Sequence, residues 1–300
     1  MLRTINVLNV TTRFEPAPQT VAPDLSHVCQ LTENDVAETL AFLAIRPVHT
    51  VVMTSFIRDN GIESELNRGR FFGYLNEKGE LEGVALIGHS TLVEARTHRA
   101  LKALAFAARR SETPIHLVMS HGSDAETFWY FLTGGVREPR LSLEEELFEV
   151  SFPFAVQRTG ETLRKADISE LEEVAAIQAE LAFMETGTDP MQMDREGFFA
   201  RVARRIEQER VFVVTIGGKL AFKADVIAET DHAAYLEGVY VAPEFRGRGL
   251  GPKCLAEVGL ELLNRVERVC LLSNVEFTTA HRAYRKAGFK NTDRCTTLVV

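Results

Sequence analysis

Arg246, Gly249 and Gly251 stand in the spacing Arg-x-x-Gly-x-Gly, between a strand pattern and a helix pattern. Tyr235, Leu236, Val239, Tyr240 and Val241 are strand formers, and Pro243 ends their run. Pro252 suits the first turn of the helix that follows, where a missing N–H costs nothing. Glycine lets the backbone approach a ligand closely because no Cβ intervenes. The free N–H groups of such a turn and of the helix start converge, and the helix dipole reinforces them. The chemistry on offer is the holding of a pyrophosphate. A tightly packed strand–turn–helix connection would carry the same glycines, and this segment alone leaves both readings open. Spacing excludes two other phosphate loops. There is no Gly-x-x-x-x-Gly-Lys-Ser/Thr, and Gly247, Gly249 and Pro252 fail Gly-x-Gly-x-x-Gly.

About thirty residues downstream, Ala280–Phe289 (AHRAYRKAGF) reads as a helix with Ala280 and Tyr284 on one face and Gly288 as its C-cap. Together the two segments resemble the acetyl-CoA site of the GNAT N-acetyltransferase superfamily. That family has an Arg/Gln-x-x-Gly-x-Gly/Ala loop and, later, a helix bearing a tyrosine just before Gly-Phe. The resemblance implies acetyl-CoA as co-substrate, held by Arg246, Gly247, Arg248, Gly249, Leu250 and Gly251. Backbone groups of Val239, Tyr240 and Val241 would take the pantetheine amides, and Tyr284 would be the general acid to the departing thiolate. One departure concerns the asparagine often found seven residues before the tyrosine. Phe277 stands there, with Asn274 three residues earlier as the nearest cofactor-side asparagine.

Acyl transfer to an amine also needs a base. Glu237 alternates with Val239 and Val241, so regular strand geometry puts all three on one side. A carboxylate on an otherwise apolar face is costly unless used or paired. It is a candidate base, and a salt-bridged or sheet-edge glutamate is the alternative. The acceptor would lie against Phe183–Met193 (FMETGTDPMQM), where Glu185 and Asp189 could bind or deprotonate a cationic amine, or else be solvated loop acids. Glu144–Glu146 reads as surface charge, and His281 as an exposed helix residue.

The elements around these residues recur. Leu31–Leu40 and Leu163–Val174 each place a leucine four residues ahead of an aspartate, Asp35 and Asp167, suited to a helix start. Phe71–Leu86 and Val211–Val226 read as hairpins turning at Lys78-Gly79 and Gly217-Gly218. The order helix, helix, hairpin, strand, helix, strand repeats at an offset of about 135 residues, which suggests duplication. At the place of the glycine loop the first half has Gly88–Thr97, GHSTLVEART, without close-approach glycines. The expected architecture is α+β, with tandem GNAT-like domains, each a mixed, mostly antiparallel sheet flanked by helices. The boundaries expected are an N-terminal strand and tether at 1–26, a degenerate domain at 27–150, a linker at 151–160 broken by Pro153 and Gly160, and an acetyltransferase domain at 161–300.

With 300 residues, 45% of them hydrophobic and 25% charged, the chain holds enough apolar material for two cores. A net charge of -8 argues against a general nucleic-acid binder, while Arg246 and Arg248 supply a local basic pocket. Cys29, Cys254, Cys270 and Cys295 show no metal-ligand or disulfide spacing, and the eight histidines are scattered. No metal is expected. No run suits a membrane span or a signal peptide, and a cytoplasmic monomer or homodimer is anticipated. The function expected is N-acyl transfer from acetyl-CoA to a primary amine of a small molecule or protein. Alternatives are a non-catalytic acetyl-CoA sensor, or transfer of a longer acyl chain or to a thiol or hydroxyl.

Overall fold

The computed structural model describes residues 23–300 except 153, 156 and 157. The strand and tether expected in 1–26 fall almost wholly outside the described residues, as does Pro153. The first half runs β1 (Val28–Gln30), α1 (Val36–Leu43), α2 (Val51–Asn60), β2 (Gly69–Leu75), β3 (Leu81–Gly88), β4 (Ser90–Ala95), α3 (His98–Ala108), β5 (Leu117–His121), α4 (Asp124–Thr133) and β6 (Leu141–Val150). The second runs β7 (Arg164–Lys165), α5 (Leu171–Thr186), α6 (Pro190–Met193), α7 (Arg195–Glu207), β8 (Val211–Ile216), β9 (Lys219–Glu229) and β10 (Ala233–Val241). It closes with α8 (Leu250–Leu262), β11 (Arg268–Asn274), α9 (Thr278–Lys286) and β12 (Lys290–Val299). The order recurs, with the short α6 added.

Local chemistry accounts for the shared punctuation. Asp167 accepts from the Ser169 N–H in a capping box with Glu170, and Thr32 with Asp35 forms the counterpart. The hairpins β2–β3 and β8–β9 turn where Gly79 has φ +80° and Gly217 and Gly218 have φ +59° and +78°.

The strands join in one sheet of order β1-β2-β3-β4-β5-β12-β6-β11-β10-β9-β8-β7. Its centre is an exchange. β6, from the first half, pairs antiparallel with β11, and β12, from the end of the chain, pairs antiparallel with β5. The two exchanged strands also pair with each other along Lys290–Val299. Each half therefore completes its sheet with the other's last strand. On one face, α8 and α9 cover a core centred on Phe148, Phe212, Phe222 and Phe289, all buried. On the other, Val48 and Val51 at the start of α2 pack on Ala228, Tyr235 and Cys270 of the second half. Losing a core phenylalanine such as Phe148 would cost about 3–5 kcal/mol.

Within each half one parallel strand pair parts midway. The β10–β11 ladder stops at Leu236–Leu271, and β4–β5 stops at Leu92–Met119. The segment Gly88–Thr97, expected at the place of the glycine loop, is mostly β4 itself. Only Arg96 and Thr97 separate β4 from α3, and the Thr97 hydroxyl already caps the helix by accepting from Ala100 N–H at 3.1 Å. In the second half the connection runs from 242 to 249, and Gly249, the residue before α8, gives that helix no side-chain cap. The first half has no such loop, and one of the N–H donors at its helix start is already taken. Among the described residues no helix is long and apolar enough to cross a membrane.

Candidate acyl-transfer site

The parting of β10 from β11 leaves backbone groups of Val239, Tyr240 and Val241 without a parallel ladder partner on that side. At the open end stands the glycine loop. Gly247 and Gly249 have φ +75° and +79°, conformations that side chains disfavour. A Cβ at either would meet nothing within 4 Å, so the space before the loop is open. Gly251 instead sits against the strand, where a Cβ would lie 2.9 Å from Val241 Cγ2. The Arg246 Nε–H donates to Val241 O at 2.8 Å, tying the loop to its strand, while Arg248 is exposed. Leu250 packs on the core and seats the helix start. The uncapped N–H groups of α8 suit an anion.

A one-residue bulge changes the reading of β10. Glu237 pairs with Asp225, whereas Tyr240, three residues on, pairs with Lys223, two residues back. The extra residue is accommodated at Gly238, φ +60°. Glu237 therefore shares a face with Tyr240. Val239 and Val241 turn to the opposite face, into the core beneath α8. The expectation that Glu237, Val239 and Val241 lie on one side is corrected by this bulge. Its effect is to turn the Glu237 carboxylate to the face opposite the Val239 and Val241 side chains.

Under Glu237 lies a buried polar nest. Lys223 Nζ is 2.7 Å from Asp225 Oδ1 and donates to Gln178 Oε1 at 2.7 Å, and Arg205 Nε lies 3.9 Å from Asp225 Oδ2. Burial pushes the Lys223 ammonium down and Asp225 opposes this. The pair was not singled out from sequence; two charges at alternate positions of an apolar strand, in FKAD, are the signal that could have found it.

Three carboxylates lie within electrostatic reach of one another. Glu237, Glu145 and Glu185 interact electrostatically, and each remains reachable by solvent while crowded by protein. Desolvation raises Glu237, with Arg205 opposing. Desolvation likewise lifts Glu145 to about 7, against a hydrogen bond from Thr297 and helped by Glu237. Glu185 is lifted to about 7 by desolvation, then by Glu237 and Glu145. Glu145 corrects the reading of Glu144–Glu146 as surface charge. Asp189 caps α6, its Oδ1 accepting from Met191 N–H at 2.9 Å, and so shapes the loop. Arg140 of the first half clamps that loop, donating to Thr186 O at 2.7 Å and Thr188 Oγ1 at 2.9 Å.

Tyr284 stands on the other face, against Phe148 with ring centroids 5.4 Å apart. Burial lifts its phenol to about 12, a Ser273 hydrogen bond opposes this, and Glu185 adds to it. His281 is buried, not exposed as its helix position suggested. Its Nε2 lies 3.2 Å from Ser273 Oγ, and its Nδ1 lies 3.4 Å from Glu146 Oε2. Glu146, His281 and Ser273 thus line up toward the Tyr284 phenol. Asn274 closes the β11–α9 turn by accepting from Glu276 N–H at 2.9 Å, a tie that Phe277 could not make.

Residues 207–291 match the family model described as an acetyltransferase (GNAT) domain. Among solved structures, the chain is similar to an acetyltransferase from the GNAT family of Colwellia psychrerythraea. That match has a TM-score of 0.56 at 13% identity, covering 91% of this chain and 98% of that one. A GCN5-related N-acetyltransferase from Sphaerobacter thermophilus gives 0.56 at 16%, over 92% and 96%. A tandem GNAT protein from the clavulanic acid biosynthesis pathway gives 0.54 at 14%, over 91% and 98%. No curated protein matches the sequence. At such identities the structural likeness is one of fold. The chain has the fold of these GNAT proteins, a tandem one among them, and the stretch that matches the GNAT domain model lies within its second half.

Proposed function

We propose that the protein moves an acetyl group from acetyl-CoA to a primary amine of a small molecule or peptide. One observation carries this reading. The gap between β10 and β11 has an uncapped glycine loop at its mouth, a phenol on one face and a carboxylate cluster on the other. The loop Arg246–Gly251 would bind the pyrophosphate, and the open edge of Val239–Val241 would satisfy pantetheine amides and polarise the thioester carbonyl. Glu237 would take a proton from the incoming ammonium, a task favoured by its raised affinity for protons. Glu185 and Glu145 would hold the cationic acceptor. Tyr284 would give its proton to the departing thiolate and recover one through Ser273 and His281. The first half, lacking the loop, would frame the acceptor mouth. The phenol and the carboxylate cluster around one gap favour an enzyme over a cofactor sensor.

The test is thiol release from acetyl-CoA across amines, peptides and aminoglycosides, paired with calorimetry on Gly249→Asp. Turnover with at least one amine, and cofactor affinity lost in the folded variant, are expected. Unchanged affinity in Gly249→Asp would remove the site from this loop.

A further inference from the structure

His49, His121 and Asp293 come from three distant parts of the chain, and each offers one ligand atom within 4.8 Å of the others. His49 precedes α2, His121 ends β5, and Asp293 follows a register shift in β12 between Asn291 and Asp293. That irregularity re-aims the aspartate. Cys295 pairs with His121 across the β12–β5 ladder, so Asp293, two residues earlier, shares its face. Asp293 Oδ2 lies 2.9 Å from His49 Nε2 and 3.1 Å from His121 Nε2. Its Oδ1 is taken by the Arg294 N–H at 2.9 Å. The imidazoles meet edge to face, centroids 5.3 Å apart, so both nitrogens reach one point without the rings stacking.

Two rings directing the same type of nitrogen at one carboxylate oxygen can be satisfied by hydrogen bonds only if both carry a proton there. A dication satisfies all three atoms with the protons gone. Zinc takes imidazole nitrogen at about 2.0–2.1 Å and carboxylate oxygen at about 2.0–2.2 Å, so on binding the Asp293 oxygen would draw back from both rings while the two ring nitrogens close toward each other, from atoms that now lie within 4.8 Å of one another. Arg46, 3.9 Å from Asp293, is the opposing charge; its guanidinium is engaged by buried Glu94 at 3.2 and 3.3 Å. Beside the cluster a cavity of about 40 Å³, lined by His49, His121, Glu94, Ser120 and Cys295, has room for water as a fourth ligand.

We propose that His49, His121 and Asp293 bind a divalent transition-metal ion of the zinc class, which fastens the exchanged C-terminal strand to the first half. The expectation of no metal rested on local spacing, and these ligands have none. The donor set of two imidazoles and one carboxylate suits such an ion better than calcium or magnesium, which prefer oxygen. The proposal does not depend on the acyl-transfer reading.

The full chain, stripped with a chelator, is titrated with cobalt(II) as a visible probe, and its melting is followed with and without excess zinc. One equivalent of cobalt should develop d–d bands that zinc displaces, and zinc should raise Tm. Asp293→Asn, which keeps shape, and His121→Gln should lose both responses. His89→Ala should keep them, although His89 and His116 also approach to 3.5 Å. Wild-type protein without bands or a Tm rise, or Asp293→Asn binding as tightly as wild type, overturns the proposal. So does binding that disappears in His89→Ala instead.

Discussion

The His281 Nε2 and the Ser273 hydroxyl lie within hydrogen-bond reach at 3.2 Å, joining α9 to β11 beneath the Tyr284 phenol. Because Ser273 also acts on the Tyr284 phenol, lowering its proton affinity, Ser273 offers the phenol a route for reprotonation that is not open water. Ser273→Ala breaks this route without touching the ring. Turnover should fall about tenfold or more, with acetyl-CoA affinity unchanged. Rate and calorimetric affinity measured on one preparation check this, and an unaltered rate across pH would reduce these contacts to packing.

Removing the proton donor itself should cost more. Tyr284→Phe keeps the contact with Phe148 and should leave the melting temperature nearly unchanged. The rate should drop by about 10²–10⁴-fold. Steady-state kinetics with the acceptor found by thiol release decide it; full activity would mean that solvent protonates the thiolate.

Much of this site is visible in the sequence because its signals are local. The loop at 246–251, the hairpin glycines Gly79, Gly217 and Gly218, and the tyrosine before Gly288 each declare themselves within a few residues. Glu145 and His281 do not. Their importance comes from which strand lies beside which, and β6 reaches β11 only after more than a hundred residues of intervening chain. The exchange of β6 and β12 has no local signature, since an alternating strand pairs equally well with either neighbour. The bulge at Gly238 was concealed because a glycine in a strand also fits close packing.

Gly238→Ala tests the bulge. The residue needs φ +60°, and a Cβ would lie 2.4 Å from Gln178 Oε1 and 2.8 Å from Lys223 Nζ. Strain at such a position costs about 1–3 kcal/mol, and displacement of the buried Lys223 partners adds to it. Denaturant unfolding should show the loss, together with reduced turnover as Glu237 shifts. Wild-type stability would mean that β10 can repair its register.

Acceptor binding should depend on pH through Glu185 and Glu145, both lifted to about 7. A cationic amine favours their ionised forms, so KM should fall as pH rises through about 7, and Glu185→Gln should flatten that profile. Stability runs the other way. A carboxyl that holds its proton more tightly when folded contributes stability below the ordinary carboxylate range, and this is lost as pH rises through about 7. Melting of the ligand-free protein from acidic to neutral pH should show this decline, and Glu185→Gln should lessen it. A KM that is flat with pH in the wild type would place the amine elsewhere.

The exchange of strands predicts that the halves fail alone. A fragment of residues 161–300 looks self-sufficient in sequence, since it contains the glycine loop and Tyr284. In the fold it lacks β6, the partner of β11 from Val269 to Asn274, and with it Phe148, on which Tyr284 and His281 pack. It also loses α2, whose Ser55 accepts from Glu229 N–H at 3.1 Å and whose Asp59 pairs with Arg210 at 2.6 Å. Its own β12, meanwhile, would be left without β5. The fragment should be unfolded or aggregated through those bare edges. Adding residues 138–150 as a separate peptide should recover part of the fold and of the acetyl-CoA affinity. Circular dichroism and calorimetry on the fragment, with and without the peptide, check this. A fragment 161–300 that folds cooperatively and binds acetyl-CoA like the whole chain would mean that β12 can turn back beside β11, and that the exchange is not required for the site.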